Sequence, residues 1–420
     1  MEISTTGPVG AEASNDACQP LVVVGITNSQ TCLVLSGRIR ALREAGFRVV
    51  LISSPGKLLM RIAVQEGIET IAIPMVRELS PFQDCVALFR IWRTLRRLRP
   101  DLTEFSTPKA GLLGSIAALI CRVPSRVYLL RGLKLETAHG WKRRLLCAAE
   151  KLTAVCSHQV ICNSRSLRKG ALELGLVPEH KLRLLGEGSS HGVDVEHFVP
   201  GAPEANAALR AGYDLPADAP IIGFVGRLTG DKGVPELIEA FDALLKDIPT
   251  ARLLLVGWFD SSEDALEPRL RHYIELHPAI LRTGFVPDTA PWYRVMDMLV
   301  LPTWREGFPN VVLEASASGI PVVTTLATGS RDAVVPEVTG LLIPPGYPEA
   351  IHEAMLQLLR NEEQRREMGR AARRWVVENF TERNVLAHTI SLYSALLRKR
   401  EEDTSAVLAS DAATAEVEHY

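Results

Sequence analysis

The stretch Ile222-Gly-Phe-Val-Gly-Arg-Leu-Thr-Gly-Asp-Lys-Gly-Val234 decides the architecture. It opens as a short apolar run, passes through Gly226, Gly230 and Gly233, and continues into a helical pattern over 234–246. A buried strand that feeds a glycine loop and then a helix is the unit from which parallel α/β sheets are built. Glycines let the backbone approach a ligand closely, and a helix N-terminus attracts anions. Arg227 and Lys232 flank the loop with one forked cation and one point cation. That combination meets the needs of a diphosphate without a metal ion. The spacing is neither G-x-G-x-x-G nor a Walker A loop, which argues against a dehydrogenase or an ATPase.

The same unit recurs on both sides. Downstream, strands are expected at 252–256, 281–285, 298–301 and 321–324, with a further helix over 350–359. Upstream, they are expected at 21–26, 47–52, 71–73, 102–105, 126–130 and 159–162, with a helix over 32–45 that stops at Gly46. The turn-rich segment 186–201 interrupts this rhythm and reads as a linker. The expected organisation is two α/β domains, 20–195 and 196–380, with a helix over 381–400 returning to the first. Tails at 1–19 and 401–420 have the composition of disordered segments. Ligands in open α/β sheets bind beyond the carboxyl ends of the strands, so the cleft between the domains is the expected site.

A second stretch completes that site: Leu301-Pro-Thr-Trp-Arg-Glu-Gly-Phe-Pro-Asn-Val-Val-Leu-Glu-Ala315. A strand ends near Leu301, Gly307 permits a turn, and Pro309 suits the first turn of a helix. The amides of Phe308, Asn310 and Val311 then lack intrahelical partners and face the cleft. Glu306 in the loop and Glu314 in the helix are placed to accept hydrogen bonds from vicinal hydroxyls of a sugar or ribose. Read singly, Glu306 is more simply a loop charge and Glu314 a surface or ion-paired helix residue.

Taken together, the two stretches resemble glycosyltransferase family 4, the retaining enzymes of GT-B fold. Gly-Arg-Leu-x-x-x-Lys-Gly and Glu-Gly-Phe-Pro-Asn-x-x-x-Glu-Ala stand in that order about 80 residues apart. The resemblance continues through Gly319-Ile-Pro-Val-Val323 and Thr339-Gly-Leu-Leu-Ile-Pro-Pro345. In the first half, Ser106-Thr-Pro-Lys-Ala-Gly111, Asn163-Ser164 and Gly192-Val-Asp194 look like the branch that builds capsular and cell-surface polysaccharides. It implies two Rossmann-like domains and transfer of a sugar from a nucleotide donor, with UDP favoured, to a glycan or polyprenyl-diphosphate-linked acceptor. Arg227 and Lys232 would hold the donor diphosphate and stabilise the departing nucleotide. Glu306 would contact the sugar hydroxyls and Glu314 the ribose. Gly226 and the amides of Phe308, Pro309's neighbour Asn310, and Val311 would line sugar and phosphate, and Phe285 and Val286 the base. No metal or other cofactor is implied. Two departures fall on the acceptor side. Thr27-Asn28-Ser29-Gln30 stands where many relatives have a Gly-Gly loop, and Arg131 where many carry a histidine. Arg131 can reach a phosphate or an acceptor diphosphate, or serve a structural role, but it cannot act as a base.

Composition fits this reading. The chain of 420 residues is 47% hydrophobic and 23% charged, a globular balance with ample core material. Residues 1–200 hold 26 Lys and Arg against 17 Asp and Glu, and the remainder 21 against 32, so the first half is the one suited to an anionic partner. All seven cysteines lie in that half without a C-x-x-C pair, as expected for reduced thiols in a cytoplasmic protein. The N-terminus lacks the apolar core of a secretory signal. Over 82–100, Leu88, Ile91, Trp92, Leu95 and Leu98 recur at helical spacing among five arginines. Such a helix suits either peripheral contact with the anionic inner face of a membrane or packing on a sheet. No nucleic-acid-binding module is recognisable. Two alternatives remain open: a nucleotide-sugar epimerase of the same fold, and a non-catalytic sugar-nucleotide-binding subunit.

Overall fold

The computed structural model describes residues 5–6, 19–76, 80–213, 215–261 and 264–417. The first half runs β1 (Thr5–Thr6), β2 (Leu21–Gly25), α1 (Ser36–Glu44), β3 (Arg48–Ser53), α2 (Lys57–Glu66), β4 (Glu69–Ala72) and α3 (Pro81–Leu98). It continues β5 (Leu102–Ser106), α4 (Pro108–Ile120), β6 (Ser125–Leu130), α5 (Gly140–Cys156), β7 (Gln159–Cys162), α6 (Arg165–Glu173) and β8 (Leu182–Leu184). These strands form one sheet in the order β1-β4-β3-β2-β5-β6-β7-β8, parallel throughout except for β1. β2 shows why. Val22 and Val24 pack with Ile39 and Leu42 of α1 on one face, while Val23 joins Ile91 and Leu95 of α3 on the other. A strand apolar on both sides needs helices on both sides, which parallel crossovers supply.

The chain crosses to the second half over 185–202 and enters α7 (Pro203–Gly212). There follow β9 (Ile221–Val225), α8 (Val234–Asp247), β10 (Arg252–Val256), α9 (Pro268–Leu276), β11 (Ile280–Gly284), α10 (Ala290–Tyr293), β12 (Met298–Leu301), α11 (Asn310–Ala317), β13 (Val322–Thr325) and β14 (Gly340–Ile343). The order β11-β10-β9-β12-β13-β14 is the doubly wound arrangement, all parallel, with its topological switch between β9 and β12. Those are the two strands from which the two sequence stretches emerge, so the fold brings loops about 80 residues apart in the chain side by side.

After α12 (Pro348–Arg360) and α13 (Glu362–Asn379), helix α14 (Glu382–Val417) returns to the first half. Tyr393 is fully buried in its core, donating to Glu104, which also accepts from Arg38. Two expectations are corrected. The helix at 32–45 is a 3₁₀ turn over Ser29–Val34 followed by α1. Residues 401–417, read as a disordered tail, are helical, because 382–417 is rich in alanine and contains neither glycine nor proline; 418–420 and most of 1–19 lie outside the described residues. Of the two readings of 82–100, packing on the sheet is the one the structure bears out, with Ile91 and Leu95 of α3 in the core and Leu88, Trp92 and Leu98 packed beside them.

Candidate active site

A cleft of about 480 Å³ opens between the halves at the carboxyl ends of both sheets. Gly226, Phe285, Val286, Asn310, Val311 and Glu314 line it from the second half. Trp258, two residues past β10, also lines it and meets Phe285 edge to face at 5.6 Å, giving the cleft an aromatic wall. The Phe308 ring turns into the core against Phe380 instead, and Pro309 caps α11. At the first turn of α11 the amides of Asn310 and Val311 have no intrahelical acceptor, the arrangement that suits an anion.

Beside the cleft, Arg227 and Lys232 are already engaged. Arg227 donates to Asp260 at 2.6 Å and lies 3.6 Å from Asp231. Lys232 donates to Glu306. Arg305 approaches Asp231 at 3.1 Å and donates to Thr137 of the first half at 3.0 Å. Burial alone raises the Asp231 carboxyl, but Lys232, the Thr229 hydroxyl, Arg227 and Arg305 together hold it below the usual range. Gly233 makes the cluster possible. It adopts φ 72°, and a Cβ there would sit 2.0 Å from the Pro302 carbonyl oxygen. Only glycine lets the loop after β9 lie directly on the loop after β12.

The two carboxylates differ in surroundings. Glu306 shares its charge with Lys232. Glu314 accepts from the Tyr293 hydroxyl at 2.7 Å and from Thr289 at 3.4 Å. Burial pushes the Glu314 carboxyl up, against the pull of those two bonds.

Across the cleft, Asn310 donates through its side chain to the Gly192 carbonyl at 2.9 Å and contacts His191 Nε2. Burial, reinforced by Arg131 and Arg38, lowers His191 to about 3, so it is neutral at pH 7. Arg131 stands behind it. A Cβ on Gly307 would lie 1.9 Å from the Arg131 carbonyl oxygen, so this segment of the first half abuts the loop that carries Glu306. The Arg131 guanidinium reaches Ser190 at 3.4 Å, while its Nε and Nη2 are buried without a hydrogen-bond partner. Burial and the neighbouring Arg38 lower it to about 10.

The structure thus gathers the cleft residues into one cavity, gathers Arg227, Lys232 and Glu306 into an adjoining cluster, and sets Arg131 opposite both. Sequence reading passed over Trp258, His191, Arg305, Asp231 and Asp260. Arg305 immediately precedes Glu306 and Asp231 immediately precedes Lys232, so both sat inside the quoted stretches. An aromatic just beyond β10 was a usable signal for Trp258. His191 was hidden by the turn-rich composition that marked its segment as a linker.

Comparison with known proteins adds the following. The profile of glycosyl transferases group 1 matches residues 219–361, and that of the glycosyl transferase 4-like domain matches 34–188. The capsular polysaccharide biosynthesis glycosyltransferase CapM of Staphylococcus aureus is 33% identical over 376 residues, covering 90% of this chain and 97% of that protein. A UDP-Gal:alpha-D-GlcNAc-diphosphoundecaprenol alpha-1,3-galactosyltransferase of Escherichia coli is 24% identical over 284 residues, 67% of this chain and 72% of that one. Among solved structures, HepE of Anabaena in complex with UDP superposes with a TM-score of 0.73 at 20% identity, covering 90% of this chain and all of that one; this likeness speaks to the fold.

Proposed function

Because the chain belongs to the group 1 glycosyltransferases (family 4, GT-B fold), we propose that it transfers a sugar from a UDP-linked donor, with retention at the anomeric carbon, to a polyprenyl-diphosphate-linked glycan in surface polysaccharide synthesis. The observation that carries the donor half is the meeting of Gly226, Phe285, Asn310, Val311 and Glu314 in one cleft beside Arg227 and Lys232. The likeness to CapM and to the diphosphoundecaprenol-dependent galactosyltransferase supports the acceptor class.

In this reading the Trp258–Phe285 wall takes the base, and Glu314, steadied by Tyr293, accepts from the ribose hydroxyls. The diphosphate enters between Arg227, Lys232 and the α11 amides. Lys232 then exchanges Glu306 for phosphate, which frees Glu306 to accept from the sugar hydroxyls. The bond from the anomeric carbon to the donor phosphate oxygen breaks as the acceptor oxygen bonds on the same face, and the acceptor proton passes to that phosphate. Arg227 and Lys232 stabilise the departing charge, so neither a metal nor a dedicated protein base is required. The protein works at the cytoplasmic side of a membrane, where such an acceptor resides; among the described residues no helix is long and apolar enough to cross one.

The test is transfer from UDP-, GDP- and ADP-sugars to a short-chain polyprenyl-diphosphate glycan, with EDTA and product anomer analysis. Transfer from a UDP-sugar, undiminished by EDTA and lost in Lys232→Ala and Glu306→Ala, is expected. Donor binding without transfer, or epimerised donor in the absence of acceptor, would overturn the proposal.

A further inference from the structure

Helix α5 leaves an apolar stripe in solvent. Trp141, Leu145, Leu152 and Val155 share one face by their spacing, and Trp141 is 65% and Val155 67% exposed. The opposite face, which the fold buries, carries Glu150, Thr153 and Ala154, with Leu146 and Cys147 packed beside them and the Tyr128 hydroxyl donating to Glu150 at 3.0 Å. Water-facing helix surfaces normally hold the polar residues, and here the order is reversed.

By their spacing Arg144 and Lys151 flank the stripe on one side and Lys142 on the other, while Arg143 lies toward the far side of the helix. Lys142, Arg143, Arg144 and Lys151 are exposed, and Glu150, the one acid on the helix, points inward. Among the described residues Arg143, Arg144 and Lys151 meet no carboxylate at ion-pair distance, and with Gly140, Cys147 and Ala148 they line a shallow depression of about 490 Å³. On α4, which meets the end of α5 where Ser157 and Ser115 hydrogen-bond at 3.3 Å, Leu119 and Ile120 are exposed as well. The helix is also placed for access to the site. Only 132–139 separate it from Arg131, and Thr137 on that segment accepts from Arg305.

We propose that α5 docks the protein on an anionic bilayer, its apolar stripe entering the headgroup–acyl boundary and Arg144 and Lys151 beside it binding headgroup phosphates. An exposed apolar stripe rimmed by cations is what an interfacial helix requires, and the excess of Lys and Arg in the first half draws the same face to negative lipid. This deepens the reading of the acceptor as lipid-linked and takes its purpose from it. The Trp141 end of α5 would then stand at the membrane beside the mouth of the cleft.

The test is co-sedimentation of the full chain with phosphatidylcholine vesicles and with vesicles containing phosphatidylglycerol. Binding to the anionic vesicles alone is expected. It should fall at least ~10-fold in Trp141→Ser with Leu145→Ser and in Arg144→Glu with Lys151→Glu, and persist in Arg90→Glu with Arg93→Glu on α3. An unchanged thermal shift with UDP shows that each variant is folded. Wild-type-like binding by both α5 variants, no vesicle binding by the wild type, or α5-dependent dimerisation in its place would overturn the proposal. Turnover of a water-soluble acceptor analogue separates the two readings. If the α5 variants retain it while losing vesicle binding, both readings stand; if the wild type binds vesicles through α5 but glycosylates no lipid-linked acceptor, only the acceptor reading falls.

Discussion

Replacing Arg131 by methionine should make the protein more stable and less active, and the size of both effects can be worked from the site. The guanidinium holds two buried N–H-bearing nitrogens, Nε and Nη2, with no acceptor. Leaving such donors unsatisfied costs about 1–3 kcal/mol each. The depression of Arg131 from 12.5 to about 10 gives an independent figure, since a shift of that size corresponds to roughly 3 kcal/mol against the charged form. Methionine matches the stem but not the whole volume, and the residual void returns on the order of 1 kcal/mol. A net gain of about 2 kcal/mol remains, or roughly 4–8 °C in melting temperature for a unit of this size.

The pH dependence has a definite sign. Folding disfavours the cationic form, so the penalty is constant at every pH well below the folded value of about 10 and is relieved only as the pH rises through it. The gain should therefore be flat between about pH 6 and 9 in ligand-free thermal melts. Under the proposed function, the unpartnered guanidinium would bind an anionic group of substrate against the loop that carries Glu306. Transfer should accordingly fall about 100-fold in kcat/KM, the scale of losing one preorganised charged donor. A melting temperature that drops would mean the guanidinium is satisfied and structural. One that rises with turnover intact would mean no substrate reaches it.

Three further perturbations probe the same fold. Lys232→Ala and Glu306→Ala should each cut turnover about 100-fold, while the double variant recovers roughly 1 kcal/mol of ligand-free stability without recovering activity; additive stabilities would show that the pair is not coupled. Gly233→Ala should lower the melting temperature and raise the KM for donor, because a left-handed alanine costs about 1–2 kcal/mol before the Pro302 carbonyl is pushed aside; an unchanged KM would detach this loop from donor binding. Glu150→Gln should stabilise increasingly as pH rises. Burial raises Glu150 from 4.5 to about 7, so the wild type loses stability over that window and the variant does not, a difference that is nil near pH 4 and about 3 kcal/mol above pH 7; denaturant titrations showing a constant difference would refute it.

The contrast between α3 and α5 shows where sequence stops being informative. Both carry apolar residues at helical spacing among cations, and periodicity identifies each as a helix. On α3 the stripe of Ile91 and Leu95 is the face that meets the sheet, whereas on α5 the stripe of Trp141, Leu145, Leu152 and Val155 is the face that does not. Nothing local distinguishes them, because the choice depends on which side of α5 meets the core, and on that side Ala154, Leu146 and Cys147 pack beside the Tyr128–Glu150 hydrogen bond. The strands β9, β10, β12 and β7 are legible to the residue because they are short apolar runs bounded by breakers. The linker reading of 186–201 concealed His191, whose partner Asn310 lies 119 residues away. The same limit applies to charge. Arg227, Lys232 and Glu306 were legible as residue types suited to a diphosphate and a sugar, yet not as mutual or neighbouring ion-pair partners. That pairing has a chemical consequence. A ligand entering this cluster must exchange ion pairs rather than simply fill a positive pocket, so a nucleoside diphosphate without its sugar gives Lys232 a new partner but leaves Glu306 unpaired. Under the proposed function the intact sugar nucleotide would satisfy both, which would favour the substrate that can be transferred over the product that has already lost its sugar.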